Sequence, residues 1–186
     1  MHRQGLLWAT HRGGVAFAHR GLANDEVCGA TIRGISTHFK QTIGNRKSAY
    51  FHFGDPVQQA TKLYIAESPI DALSLHQIIP TKGAAYLSTA GAPDKDLCAH
   101  MPPTPEWILA FDADEAGARF RNQLQAAAKK LGRRCQTMTP TLGKDWNEEL
   151  MCRGSNNMTA LPYGQPLCLN STTNEQSITT HHANNQ

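Results

Sequence analysis

The sequence predicts an α/β fold: a parallel sheet of about four strands with flanking helices, preceded by a small β-rich unit. Three observations predict it. Short apolar runs at 62–66, 84–88 and 107–111, with a fourth strand expected at 134–138, alternate with helical segments, which is the spacing of βαβ units. In the segment 115–131, Phe120, Leu124, Ala127 and Leu131 fall on one face at three- and four-residue spacing. Residues 6–53 break instead into short aliphatic and aromatic runs separated by Gly, Asn and Asp clusters.

The front unit reads as strands at 6–10, 15–19, 27–32 and 49–53, with a hairpin turn around Asn24 and Asp25. The run 62–66 is apolar after Lys62, as expected of a strand covered on both faces. A helix start follows it. Ser68 is the N-cap, Pro69 occupies the first helical position and Asp71 stands three residues after the cap. That helix is expected to run to Ile79 and stop at Pro80. A strand at 84–88 leads into the Gly/Pro turn 89–93, then a short helix and a proline-rich linker at 102–105. The strand at 107–111 precedes the helix 115–131, which carries Lys129 and Lys130 in its last turn and Gly132 as its stop. A strand at 134–138 and a short helix at 146–152 complete the pattern. The organisation expected is a β-rich unit at 1–58, an α/β domain at 59–152 and a disordered polar tail at 153–186, where Asn, Thr, Ser, Gln and Pro dominate.

Composition excludes several classes. Hydrophobic residues make up 40% of the 186, enough for a core, and no run of eighteen apolar residues exists to span a membrane. The first ten residues lack the ordered regions of a signal peptide, so a soluble, cytoplasmic protein is expected. The five cysteines are odd in number and include no C-x-x-C pair, which argues against a zinc knuckle or redox motif. The net charge of +3 is mild, but its distribution is not even. Residues 1–50 oppose many cations with only Asp25 and Glu26, while acids concentrate between Glu67 and Glu149. A basic front beside an acidic centre suits an enzyme that holds a polyanion next to a metal.

Three acidic clusters follow strands of the parallel sheet: Glu67 after the first, Asp112 and Asp114 after the third, and Asp145 after the fourth. Ligands of open α/β sheets bind outside the carboxyl ends of the strands, so these carboxylates are expected in one crevice. Hard cations such as Mg²⁺ take one or two carboxylates together with substrate phosphates. Each acid also has a plainer job available. Glu67 could be a surface acid, Asp71 could favour the helix dipole, and Asp114 could cap the long helix.

Taken in order, Tyr64-Ile-Ala-Glu67-Ser-Pro-Ile-Asp71-Ala-Leu-Ser74, Leu87-Ser-Thr-Ala-Gly91 and Leu109-Ala-Phe-Asp112-Ala-Asp114-Glu-Ala-Gly117 resemble the Toprim domain. With Gly143-Lys-Asp145-Trp-Asn-Glu148, the resemblance is to the primase-like Toprim proteins of plasmids, phages and conjugative elements, some joined to relaxase or helicase modules. It covers about residues 62–150. More loosely, Gly29-Ala-Thr-Ile-Arg33-Gly and the stretch from Ile43 to Phe51 are similar to the segment that precedes Toprim in these proteins. The resemblance implies Glu67 as general base or acid and Asp112 and Asp114 as the metal-binding pair. It further implies Asp71 and Asp145 as additional acids, with Glu67 also close to the metal, and Mg²⁺ or Mn²⁺ as cofactor. Asn147 stands where replicative primases often carry a second aspartate, which would weaken a second ion. Arg33, Lys47 and Lys144 are candidates for nucleotide or template phosphates.

The activity expected is Mg²⁺-dependent primer synthesis from nucleoside triphosphates on single-stranded DNA, in replication or transfer of a mobile element. A nuclease using the same acids with water as nucleophile is the alternative. A non-catalytic nucleic-acid-binding module of a larger mobile-element protein is the third reading. The zinc module and helicase-interacting domain of replicative primases have no counterpart in these motifs.

Overall fold

The computed structural model describes residues 5–44, 49–93, 97–103 and 105–158. The front of the chain forms β1 (Leu7–Thr10), β2 (Gly14–Gly21), β3 (Val27–Gly34), β4 (Lys40–Gly44) and β5 (Ala49–Gly54). Next come β6 (Lys62–Ala66), α1 (Pro69–Ile78), β7 (Ala84–Ser88), α2 (Leu97–His100), β8 (Glu106–Leu109), α3 (Glu115–Lys130), β9 (Cys135–Thr137) and α4 (Trp146–Met158). The strands form one sheet in the order β4-β3-β2-β5-β7-β6-β8-β9, with β1 beside β2. Strands β7, β6, β8 and β9 are mutually parallel, the four-stranded core that the βαβ spacing predicts.

Burial on both faces explains the apolar runs. In β6, Leu63 and Ile65 enter one core, and Tyr64 and Ala66 enter the other. Strand β8 divides the same way, Trp107 and Leu109 against Ile108. Helix α3 covers the first face with Leu124 and Ala128; α1 and α4 cover the second with Ala72, Leu75 and Trp146. Period-two alternation with neither side polar is the mark of a central strand.

The front unit shares this sheet. Strand β5 meets β2 through Arg20↔Tyr50 and Gly21↔Ala49, and runs antiparallel to β7 from Phe51↔Ser88 to Gly54↔Ala85. Leu6 and Phe17 pack in the same core as Phe51, Phe53 and Tyr64. Strand β4 is absent from the sequence reading. Four of its five residues are exposed, so it has no apolar pattern, and it exists through pairing with β3. Helix α4 continues to Met158, six residues beyond the expected end and into the segment assigned to a disordered tail. The rest of that tail, 159–186, lies outside the described residues. Among the described residues no helix is long and apolar enough to cross a membrane.

Candidate catalytic site

Strand order places the site. Strand β7 joins one edge of β6 and β8 joins the other, so the chain direction across the sheet reverses at β6. A crevice opens at such a switch point, outside the carboxyl ends of the strands. Glu67 leaves β6 there and Asp112 follows β8 there.

The loop after β7 fixes Glu67. The Gly91 amide (3.0 Å) and the Ser88 hydroxyl (3.2 Å) donate to the Glu67 carbonyl, and the Thr89 amide donates to Ala66 (3.0 Å). Ala90, a non-glycine residue at φ 56°, sits within this loop, in a region that costs strain and persists where surroundings impose it. At the start of α1, the Asp71 amide donates to the Ser68 hydroxyl (3.2 Å), and that hydroxyl donates back to the Asp71 carboxylate. This is a capping arrangement, so the structural job available to Asp71 is realised. Asp71 is nevertheless 5% exposed and lines the crevice.

Asp112 is held through its backbone. Arg121 donates to the carbonyls of Phe111 (2.9 Å) and Asp112 (2.6 Å), and the Ala113 amide donates to Lys144 (2.7 Å). Gly117 must be glycine, because a Cβ there would meet the Asp112 carbonyl oxygen at 2.1 Å. Asp114 caps α3, accepting from the Gly117 amide at 2.7 Å. Asp145 accepts from the Glu148 amide (2.8 Å) at the start of α4, and the Trp146 indole donates to the Ala110 carbonyl (2.8 Å), tying α4 to β8. Glu149 anchors the same loop. It is 1% exposed and accepts from the amides of Thr141 (2.6 Å) and Leu142 (2.7 Å) and from Arg153 (2.8 Å).

The result is a cleft of about 180 Å³ with Glu67, Asp71, Asp112 and Asp145 on one side and Arg33 and Lys40 on the other. Arg33 and Lys40 are direct cross-strand partners on β3 and β4. Desolvation, followed by the charges of Asp71, Glu67, Asp145 and Asp114, raises the Asp112 carboxyl to about 7. Desolvation also raises Glu67, then Asp114, while Lys40 opposes the shift. Asp71 is raised chiefly by burial, against its hydrogen bonds with Ser68. Carboxylates gathered this way favour a proton or a cation between them.

Among the described residues, no three His, Cys, Asp or Glu side chains converge tightly enough to hold an ion by themselves. The donor set still suits a hard cation, since Mg²⁺ completes its shell with water and phosphate. The Asp112 Oδ1 atom is buried with no hydrogen-bond partner, an orphan acceptor aimed where a cation would satisfy it.

Four of the acids singled out from sequence therefore come together, with Arg33 and Asn147 beside them. Asp114 is exposed and does not line the cleft, although its charge reaches Glu67 and Asp112. Lys144 is exposed and pairs with Glu148 at 3.8 Å rather than lining the cleft. Lys47 lies outside the described residues. Sequence reasoning missed Lys40, because the strand that carries it has no apolar signal.

Residues 64–150 match the Toprim-like family, and the four acids of the cleft all lie within that span. The matched span is Toprim-like, and the fold is similar to that of primase Toprim domains. The chain is 33% identical over 168 residues to the "65 kDa protein" of Zymomonas mobilis subsp. mobilis, covering 81% of this chain and 29% of the relative. The chain thus spans less than a third of that relative's length. Among solved structures it is similar to the primase fragment of the bacteriophage T7 primase-helicase, with TM-score 0.54 and 24% identity over 79% of this chain and 61% of that one. It is also similar to the RNA polymerase domain of Mycobacterium tuberculosis primase DnaG, with TM-score 0.54 and 19% identity over 84% of this chain and 59% of that one.

Proposed function

We propose that this cleft performs divalent-metal-dependent nucleotidyl transfer, joining nucleoside triphosphates into a primer on single-stranded DNA. The observation that carries the reading is the unpartnered Asp112 Oδ1 among four carboxylates, faced by Arg33 and Lys40. Asp112, with Asp71 and Asp145 beside it, would hold Mg²⁺ or Mn²⁺, and Asp114 adds charge at the rim. Such an ion, when bound, neutralises phosphate charge and acidifies the attacking hydroxyl. Glu67 accepts the proton of a 3′-hydroxyl; burial raises its carboxyl, which makes it a stronger base. Arg33 and Lys40 bind triphosphate or template phosphate, leaving the acids to the metal side.

Incubation with labelled nucleotides, single-stranded DNA and Mg²⁺ or Mn²⁺ tests the reading. New oligonucleotides establish synthesis; shortened DNA identifies a nuclease; neither product leaves a binding module. The paired cations of β3 and β4 favour synthesis, because a shelf for triphosphate is needed only there. The T7 neighbour belongs to a primase-helicase, which supports a helicase as partner; a relaxase module of a mobile element is the other candidate.

Two results are expected. Lys40→Ala and Arg33→Ala each raise the nucleotide KM about tenfold, the equivalent of about 1.4 kcal/mol, with melting temperature unchanged. Steady-state kinetics at varied triphosphate check this, and an unaltered KM in both removes the shelf. Asp112→Asn, in chelator at pH 8, melts several degrees above wild type. The sign follows from its raised pKa. A carboxyl shifted from 3.8 to about 7 costs stability above pH 7, and that cost disappears as pH falls toward 4. Asp112 is only half-buried, so screening reduces the effect to about 1–2 kcal/mol. Added Mg²⁺ should stabilise wild type and not the variant.

A further inference from the structure

We infer that the far face of the β3–β4 ribbon carries a second nucleic-acid contact, a track on which single-stranded template stacks after crossing from the catalytic cleft. The inference rests on the proposed function and names the surface that its template would use.

Residues of one ribbon alternate between two depressions. Arg33 and Lys40 line the acidic cleft, whereas Ile32, Gly34, Phe39 and Gln41 line a groove of about 510 Å³. Successive side chains of a strand point to opposite faces, so cleft and groove lie back to back. Phe39 and Lys40 are consecutive, and a strand leaving Lys40 meets Phe39 by rounding the end of the ribbon. Phe39 is 52% exposed, with Ile35 (73%) in the same loop. Exposed aromatic and aliphatic side chains beside cations are what base stacking and phosphate contact require.

Charge selects the occupant. This end carries His11, Arg12 and His38 in its turns, with Arg33 and Lys40 at the strand ends. The two acids of residues 1–50, Asp25 and Glu26, lie in the β2–β3 turn at the opposite end. Arg12 and His11 line the groove itself, and both are exposed. A polyanion with planar bases satisfies both the aromatic ring and the cations. An apolar protein segment would leave the cations unused.

Fluorescence anisotropy with labelled oligothymidylate, in chelator, tests the track on the full chain. Phe39→Ala and Arg12→Gln are both exposed substitutions and should melt like wild type. Each is expected to weaken binding of a ~30-nucleotide strand about tenfold while leaving a ~5-nucleotide strand unaffected. Arg12→Gln should also reduce the slope of log affinity against log salt by about 0.7. Asp112→Ala should bind as well as wild type or better. Unchanged affinity of both groove variants for the long strand, or a wild type that binds no single strand, overturns the track. A variant that keeps DNA affinity but changes sedimentation overturns it in favour of a protein interface. Binding that fails in the Phe39 variant, from a wild type that makes no primers, retains the track and removes the synthesis reading. Primer synthesis with unaltered long-strand binding in the variants does the reverse.

Discussion

Asp112→Ala is expected to lower primer synthesis by at least about a thousandfold, the equivalent of about 4 kcal/mol in the barrier, with the protein still folded. The carboxylate is the group on which the others converge: its Oδ1 has no partner, and four acids press on its charge. Removing it takes away the centre of the cation site and also relieves repulsion, so circular dichroism and melting should match or exceed wild type. Loss of activity by unfolding is thereby separated from loss of chemistry. Synthesis within tenfold of wild type would remove Asp112 from the metal assignment.

Glu149→Ala is expected to have the largest effect on stability. The side chain is 1% exposed and gathers two backbone amides, the Thr141 hydroxyl and Arg153, so its removal leaves four donors without their acceptor. Losing such a charged hydrogen-bonding centre costs about 3 kcal/mol, or about 6–12 °C in melting temperature for a chain of this size. Against burial, which acts the other way, the Leu142 and Thr141 amides and Arg153 hold Glu149 down to about 2 from 4.5. Its contribution is therefore complete above pH 4.5 and is lost as pH falls through about 2, so the deficit of the variant should shrink over that interval. Thermal melts at pH 7 and pH 3 check both parts; a shift below 2 °C at pH 7 would make the anchor dispensable. Activity should fall too, because the loop carries Asp145.

The central strands were legible because burial on two faces admits only apolar side chains. The runs 62–66 and 84–88 coincide with β6 and β7 to the residue. Local capping chemistry also declares itself, which is why Ser68, Pro69 and Asp71 marked the start of α1. The acids were legible for a different reason. Position after a strand is a sequence property, and in a parallel sheet it maps onto one edge. Glu149 was harder to rank, since a buried structural acid and a surface acid read alike until the donors around it are known.

By itself, the sequence determined the parallel core, the helix starts and the identity of the acids at the strand ends, because each depends on neighbours a few residues away. Only the tertiary structure decided that β4 exists, that Lys40 faces Glu67 across the cleft, and that Asp112 keeps an oxygen unpartnered among the other acids. Those outcomes follow from pairing between distant strands and from charges brought within reach by the fold. A local window of sequence contains neither.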